Sequence, residues 1–128
     1  AGARGGTDVT GFSFLGHAWE MAKAAGVGME IQFGDLPLIS CAKKHAQAWR
    51  FPGGAFDNKL YYSQNVIFDD STPEEFQMLL FDPQTSGGLL LGVPEAKLAP
   101  FLAEAKAKGV PAWHVGKVIP GDKITVQD

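Results

Sequence analysis

The sequence predicts an α+β fold, a mixed β-sheet layered with α-helices, and three observations carry that expectation. Segments with apolar residues at helical spacing alternate with segments of strand character along all 128 residues, without internal repeats or low-complexity tracts. Hydrophobic residues make up 45% and charged residues 20%, which suits one domain with a sizeable core. The 16 glycines and 8 prolines favour a turn-rich fold over a helical bundle.

The elements follow in order. Phe12, Leu15, Trp19 and Ala22 have the spacing of one buried helical stripe, so a helix is expected from about Thr10 to Ala25, stopped by Gly26 as a left-handed cap. Val27, Met29, Ile31 and Phe33 alternate with Gly28, Glu30 and Gln32, the period of a half-buried strand. Leu38, Cys41, Ala42, His45 and Trp49 predict a second helix that ends at Pro52-Gly53-Gly54. Residues 51–65 read as a loop with fringes of strand near Tyr61-Tyr62 and at Val66–Phe68. Thr72 is expected to cap a short helix that opens with Pro73-Glu74-Glu75 and turns Phe76, Leu79 and Leu80 inward. The apolar run Leu89–Val93 predicts a central strand buried on both faces. Glu95 to Lys108 reads as an amphipathic helix stopped by Gly109, and Trp113–Ile119 with Lys123–Val126 as a hairpin around Pro120-Gly121-Asp122.

Composition excludes several functions. The net charge of -3 arises from scattered residues, and Lys43-Lys44 is the only adjacent basic pair, so nothing offers an electrostatic footprint for nucleic acid. No run of about 18 apolar residues predicts a membrane span, and no signal peptide opens the sequence. The single Cys41 and the lack of zinc-ligand spacing point to a reducing compartment, with the cytoplasm as the expected location. Cys41 reads as a small buried hydrophobe, Trp19, Met21 and Trp49 as core, and His17 as a packed or hydrogen-bonded histidine. No self-contained catalytic constellation is present.

Two motifs stand apart. In Thr7-Asp8-Val9-Thr10-Gly11-Phe12, Asp8 has two chemical readings: an acid capping the following helix, worth about 0.5–2 kcal/mol, or a hard oxygen ligand for Mg²⁺, which takes one or two carboxylates and completes its shell with water and phosphate oxygens. The second motif, Asp82-Pro83-Gln84-Thr85-Ser86-Gly87-Gly88, reads either as an anion cradle of backbone amides with the Thr85 and Ser86 hydroxyls, or as a tight turn that satisfies its own backbone at the start of a strand. Pro52 to Asn58 is a third glycine turn, a linker or a binding loop. None has the spacing of a Walker A loop or a dinucleotide fingerprint.

Taken together, Thr7 to Phe12 with Leu15-Gly16-His17, Pro52-Gly53-Gly54 with Asn58, and Asp82 to Leu90 closely resemble the C-terminal domain of the selenophosphate synthetases, within the aminoimidazole ribonucleotide synthetase-related superfamily. The resemblance covers nearly the whole chain. It implies an enzyme that makes selenophosphate from selenide and ATP with release of AMP and phosphate, for selenocysteine and selenouridine synthesis. It also implies Mg²⁺, a homodimer, and an N-terminal domain that carries the reactive cysteine or selenocysteine and most metal-binding aspartates; no motif of that domain occurs here. Residues 1–128 would then be one domain of a two-domain enzyme, inactive alone and with no catalytic residue of its own. On this resemblance Asp8 is the metal ligand, Thr7, Thr10 and Gly11 shape its turn, and Thr85, Ser86, Gly87 and Gly88 line the same cleft. Ser13 departs from the family, which usually has glycine there. The alternatives are the matching domain of an aminoimidazole ribonucleotide synthetase or thiamine phosphate kinase, or a stand-alone binding module.

Overall fold

Among residues 2–128, which the computed structural model describes, six strands divide between a two-stranded ribbon and a four-stranded sheet. The ribbon joins β1 (Gly5–Asp8) to β4 (Leu89–Gly92), antiparallel, with Asp8 opposite Leu89. In the sheet, β2 (Gly28–Gln32) lies between β5 (Gly116–Ile119), antiparallel to it, and β6 (Ile124–Gln127), parallel to it. The short β3 (Val66–Phe68) pairs in parallel with the far side of β6. Five helices complete the fold: α1 (Ser13–Ala25), α2 (Ala42–Gln47), α3 (Gly53–Tyr62), α4 (Glu74–Leu79) and α5 (Glu95–Ala107). This is the expected mixture of helices and sheet, and among the described residues no helix is long and apolar enough to cross a membrane.

The core sits where α1 packs on the sheet. Leu15, Ala18 and Ala22 of α1 meet Met29 and Ile31 of β2 and Ile124 and Val126 of β6, and Phe33, Tyr62, Leu80 and Phe81 close the cluster. Each large apolar side chain buried there is worth roughly 1.5–3 kcal/mol. The alternation read at Met29, Ile31 and Phe33 is thus the inward face of β2, and Gly26 ends α1 in the left-handed conformation, φ 67° and ψ 37°.

Several local expectations are corrected. Trp113–Ile119 and Lys123–Val126 do not form a hairpin: the strands reduce to β5 and β6, and β2 runs between them. The turn residues Pro120-Gly121-Asp122 do reverse the chain, but they carry it across the start of β2, where the Met29 amide donates to the Lys123 carbonyl at 3.1 Å. Only a residue without Cβ fits beneath this crossing, since a Cβ on Gly28 would lie 2.8 Å from the Lys123 oxygen. The run Leu89–Val93 is not a central strand either. Its structured part, β4, has β1 as its one partner, and Leu89 is 72% exposed. An apolar run reports hydrophobicity and not whether its own domain covers it.

The segment read as a loop over 51–65 contains α3, and Tyr61-Tyr62 is helical. Pro52 enters in an extended conformation, after which Ala55, Asn58 and Tyr62 recur at helical spacing on the buried face. The two leading glycines mask a periodicity that tertiary packing rewards. The second helix is shorter than its pattern suggests: α2 stops before Trp49, which takes a left-handed φ of 52° and is half-exposed, and Cys41 is exposed rather than buried. At the start of α1, Phe12 is 57% exposed and the helix begins at Ser13, so the buried stripe is Leu15, Ala18 and Ala22. Thr72 does not cap α4, since its hydroxyl is buried without a partner among the described residues, and Met78 rather than Leu79 is the residue α4 buries fully. The helix at Glu95–Ala107 and its stop at Gly109, φ 66°, match expectation, although its apolar residues are only partly covered.

Gly28→Ala is expected to destabilise the fold by about 1–3 kcal/mol, because the added methyl meets backbone rather than a yielding side chain. Thermal unfolding followed by circular dichroism measures this, and an unchanged midpoint would mean that the crossing is not tight.

Candidate functional site

The Thr7–Phe12 and Asp82–Gly88 motifs lie side by side. Backbone pairing of the β1–β4 ribbon continues past Asp8: the Val9 amide donates to Gly88 at 3.0 Å, the Gly87 amide to Val9 at 2.9 Å, and the Gln84 amide to Thr10 at 3.0 Å. A Cβ on Gly87 would lie 2.6 Å from the Val9 carbonyl oxygen, so the close approach requires glycine there, and Gly88 is required by its left-handed φ of 81°. Residues 84–88 therefore form an extension of the ribbon, and Thr85, Ser86, Gly87 and Gly88 are all exposed on it. The Gly87 amide is engaged by Val9, which removes one donor from the anion-cradle reading.

The Pro52–Asn58 segment holds these two together. Asn58, only 7% exposed, donates through its amide nitrogen to the Gly11 carbonyl and to the Phe81 carbonyl, each at 3.0 Å. The start of α3 meets the Asp82–Gly88 motif directly, since a Cβ on Gly54 would fall 2.9 Å from the Pro83 ring. Pro52 to Asn58 is thus neither linker nor open binding loop but the support on which the other two motifs rest.

Asp8 ends β1 with its side chain exposed, and its carboxylate makes no ion pair or hydrogen bond among the described residues. The capping reading does not hold, because α1 begins at Ser13, well beyond Asp8. Ser13 does that work itself: fully buried, it accepts the Gly16 amide at 3.2 Å on its hydroxyl, the bond a capping serine makes. Its φ of 71° is a left-handed conformation, the physical reason glycine suits this position. Thr7 and Thr10 are half-buried and Gly11 exposed, and the Thr7 hydroxyl donates to the Asp8 carbonyl at 3.0 Å.

No group of three or more His, Cys, Asp or Glu among the described residues could hold a metal ion. A free, exposed carboxylate on a backbone fixed by pairing fits one oxygen ligand of a shared Mg²⁺ and not a complete site. Asp82, nearest in sequence to the 84–88 turn, is drawn inward: burial raises its carboxyl above the usual range, against the opposing hydrogen bond from the Gln84 amide at 3.3 Å.

One polar chain behind the site was not legible from spacing. The His17 ring reaches Thr10 Oγ1 through Nε2 at 3.0 Å and Glu20 through Nδ1 at 3.4 Å, and the Tyr62 hydroxyl donates to Glu20 at 3.1 Å. Burial, followed by the Glu20 charge and hydrogen bond, pushes the Tyr62 phenol up to about 12. Beside this chain an open groove of about 830 Å³ runs between α1 and α3, walled by Phe12, Trp19, Tyr61 and the acids Glu20 and Asp57.

Residues 1–128 match the family described as AIR synthase related protein, C-terminal domain. The chain is 46% identical over 121 residues to selenide, water dikinase 2 of Peptoclostridium acidaminophilum, a match that covers 94% of the chain and 35% of that protein. It is 42% identical over 123 residues to a selenide, water dikinase of Clostridioides difficile, with 94% and 35% covered. Among solved structures, the thiamine-monophosphate kinase of Stenotrophomonas maltophilia K279a superposes with a TM-score of 0.65 at 12% identity, over 97% of this chain and 31% of the other, a likeness of fold alone. The chain spans about a third of the length of these relatives.

Two outcomes are expected from this geometry. Asn58→Ala strips the donor from two carbonyls and should cost about 2–4 kcal/mol in chemical denaturation, where a loss under 1 kcal/mol would show that the bridge is dispensable. For Tyr62, the folded phenol keeps its proton while the unfolded one ionises, so stability is intact below pH 10 and falls as pH rises from 10 toward 12. Tyr62→Phe should flatten that slope in melts recorded across the interval, and an unaltered slope would place the ionising group elsewhere.

Proposed function

The chain belongs to the AIR synthase related proteins, as their C-terminal domain, and we propose that it is the C-terminal domain of a two-domain selenide, water dikinase. That enzyme would make selenophosphate from selenide and ATP and release AMP and phosphate, as a cytoplasmic homodimer whose N-terminal domain carries the reactive cysteine or selenocysteine. The 46% identity to a selenide, water dikinase over nearly the whole chain carries this reading, and it favours that activity over the aminoimidazole ribonucleotide synthetase and thiamine phosphate kinase alternatives.

Within that enzyme the chain presents and does not react. Asp8 would supply one carboxylate oxygen to Mg²⁺, with the remaining carboxylates contributed across the cleft by the N-terminal domain. Bound Mg²⁺ supplies neutralisation of the charge that develops on the phosphate oxygens during phosphoryl transfer. The ribbon fixes where Asp8 points, since its backbone is paired with Leu89 and continues into the Val9–Gly88 pair. The Thr7 bond to the Asp8 carbonyl shapes the end of β1, Thr10 and Gly11 would shape the turn beyond it, and the exposed Thr85 and Ser86 hydroxyls on the adjoining turn would line the same cleft.

In the intact two-domain enzyme, Asp8→Asn should lower Mg²⁺-dependent ATP consumption tenfold or more while the thermal midpoint stays unchanged. The 128-residue chain alone should consume no ATP with selenide and Mg²⁺. Turnover by the isolated chain, or normal activity of Asp8→Asn, contradicts the proposal.

A further inference from the structure

We propose that His17 is a positioning residue for the turn that carries Asp8, acting through the Thr10 hydroxyl; the inference rests on the reading of Asp8 above, and its test separates the two.

Glu20 and Thr10 together suggest a polarity for the chain behind the site. Glu20, whose carboxylate only accepts, lies 3.4 Å from His17 Nδ1, which favours the tautomer with its hydrogen on Nδ1. With the hydrogen on Nδ1, Nε2 is an acceptor, and the Thr10 hydroxyl, 3.0 Å away, is its donor. The other Glu20 oxygen takes the Tyr62 hydroxyl, and the Tyr62 ring packs so closely on α1 that a Cβ on Gly16 would lie 2.7 Å from it. His17 itself is 8% exposed, with the Phe12 ring tilted over it at 5.8 Å. The imidazole therefore has one orientation, anchored to a helix and to the core.

Thr10 is where that orientation becomes useful. Its carbonyl accepts the Ser13 amide and the Gln84 amide, both at 3.0 Å, so one residue ties the start of α1 to the 84–88 turn. Its hydroxyl proton goes to His17, leaving the oxygen only lone pairs for any other neighbour. The Thr10–His17 bond also spans Ser13, which holds a left-handed φ of 71° without being glycine. A turn strained in this way at Ser13, five residues after Asp8, has reason to relax when the bond across it is lost. Glu20 and Tyr62 alone would keep His17 in place; only the Thr10 bond passes that order to the site.

Three substitutions test this. In His17→Gln the amide oxygen can replace Nε2 as the acceptor for Thr10, in His17→Asn the amide can replace the Nδ1 donor to Glu20 but leaves Thr10 unpaired, and Thr10→Val removes only the hydroxyl. In the intact enzyme, His17→Asn and Thr10→Val should each lower kcat for ATP consumption by roughly tenfold. The double variant should fall no further, and His17→Gln should recover most of the loss. In the 128-residue protein, ¹⁵N spectra should show the His17 hydrogen on Nδ1, and the amide signals of 9–11 and 84–88 should move in His17→Asn and Thr10→Val but not in His17→Gln. Equal behaviour of Gln and Asn in both measurements, or the hydrogen on Nε2, overturns the inference; should His17→Asn not fold, unmoved amides in Thr10→Val overturn it. If Asp8→Asn is fully active while the amides respond as expected, the metal reading of Asp8 falls and the ordering of the turn by His17 stands.

Discussion

The Asn58 side chain is the contact on which the arrangement depends. Its one amide nitrogen serves two carbonyls, Gly11 and Phe81, that belong to segments far apart in the chain and have no hydrogen bond to each other through those oxygens. Inside the fold, where a carbonyl left without a donor costs about 1–3 kcal/mol, this is strong reason for the start of α1 and the end of α4 to stay where α3 puts them. The β1–β4 ribbon extends from that junction, and Asp8 is at its edge.

Close packing supplies the second constraint. At Gly54, Gly87, Gly16 and Gly28 a methyl group would fall within 3 Å of a neighbouring ring or carbonyl. Those glycines sit at contacts between elements: α3 against Pro83, the 84–88 turn against Val9, α1 against Tyr62, and the β5–β6 crossing over β2. An abundance of glycine that reads as turn propensity is in large part an abundance of close approaches. The site is correspondingly close-packed behind Asp8, while Thr85, Ser86, Gly87 and Gly88 are exposed beside it.

Much of this was legible in the amino-acid sequence. The alternation at Met29, Ile31 and Phe33, the stops at Gly26 and Gly109, and the helix at 95–107 follow from local rules because each depends on its own residues. What local rules missed depends on partners. Nothing in Trp113–Val126 says that β2 will insert between β5 and β6, and nothing in Leu89–Val93 says that the strand will pair only with β1. α3 was hidden because its two leading glycines argue for a loop until Asn58 and Tyr62 find their contacts. For the site, the motifs themselves were visible as unusual runs, and Asp8 stood out by residue type. Their convergence, the Asn58 bridge and the His17–Thr10 bond were not, because each links residues whose spacing in sequence obeys no single-element period.

In the proposed function, this junction would present the Asp8 carboxylate to a metal shared with a second domain. The most direct measurement is a crystal structure of the intact enzyme with Mg²⁺ and a non-hydrolysable ATP analogue. The account predicts an Asp8 oxygen at about 2.0–2.1 Å from a Mg²⁺ that also touches phosphate oxygens. A fully ligated Mg²⁺ cluster with the Asp8 carboxylate turned to solvent would contradict it.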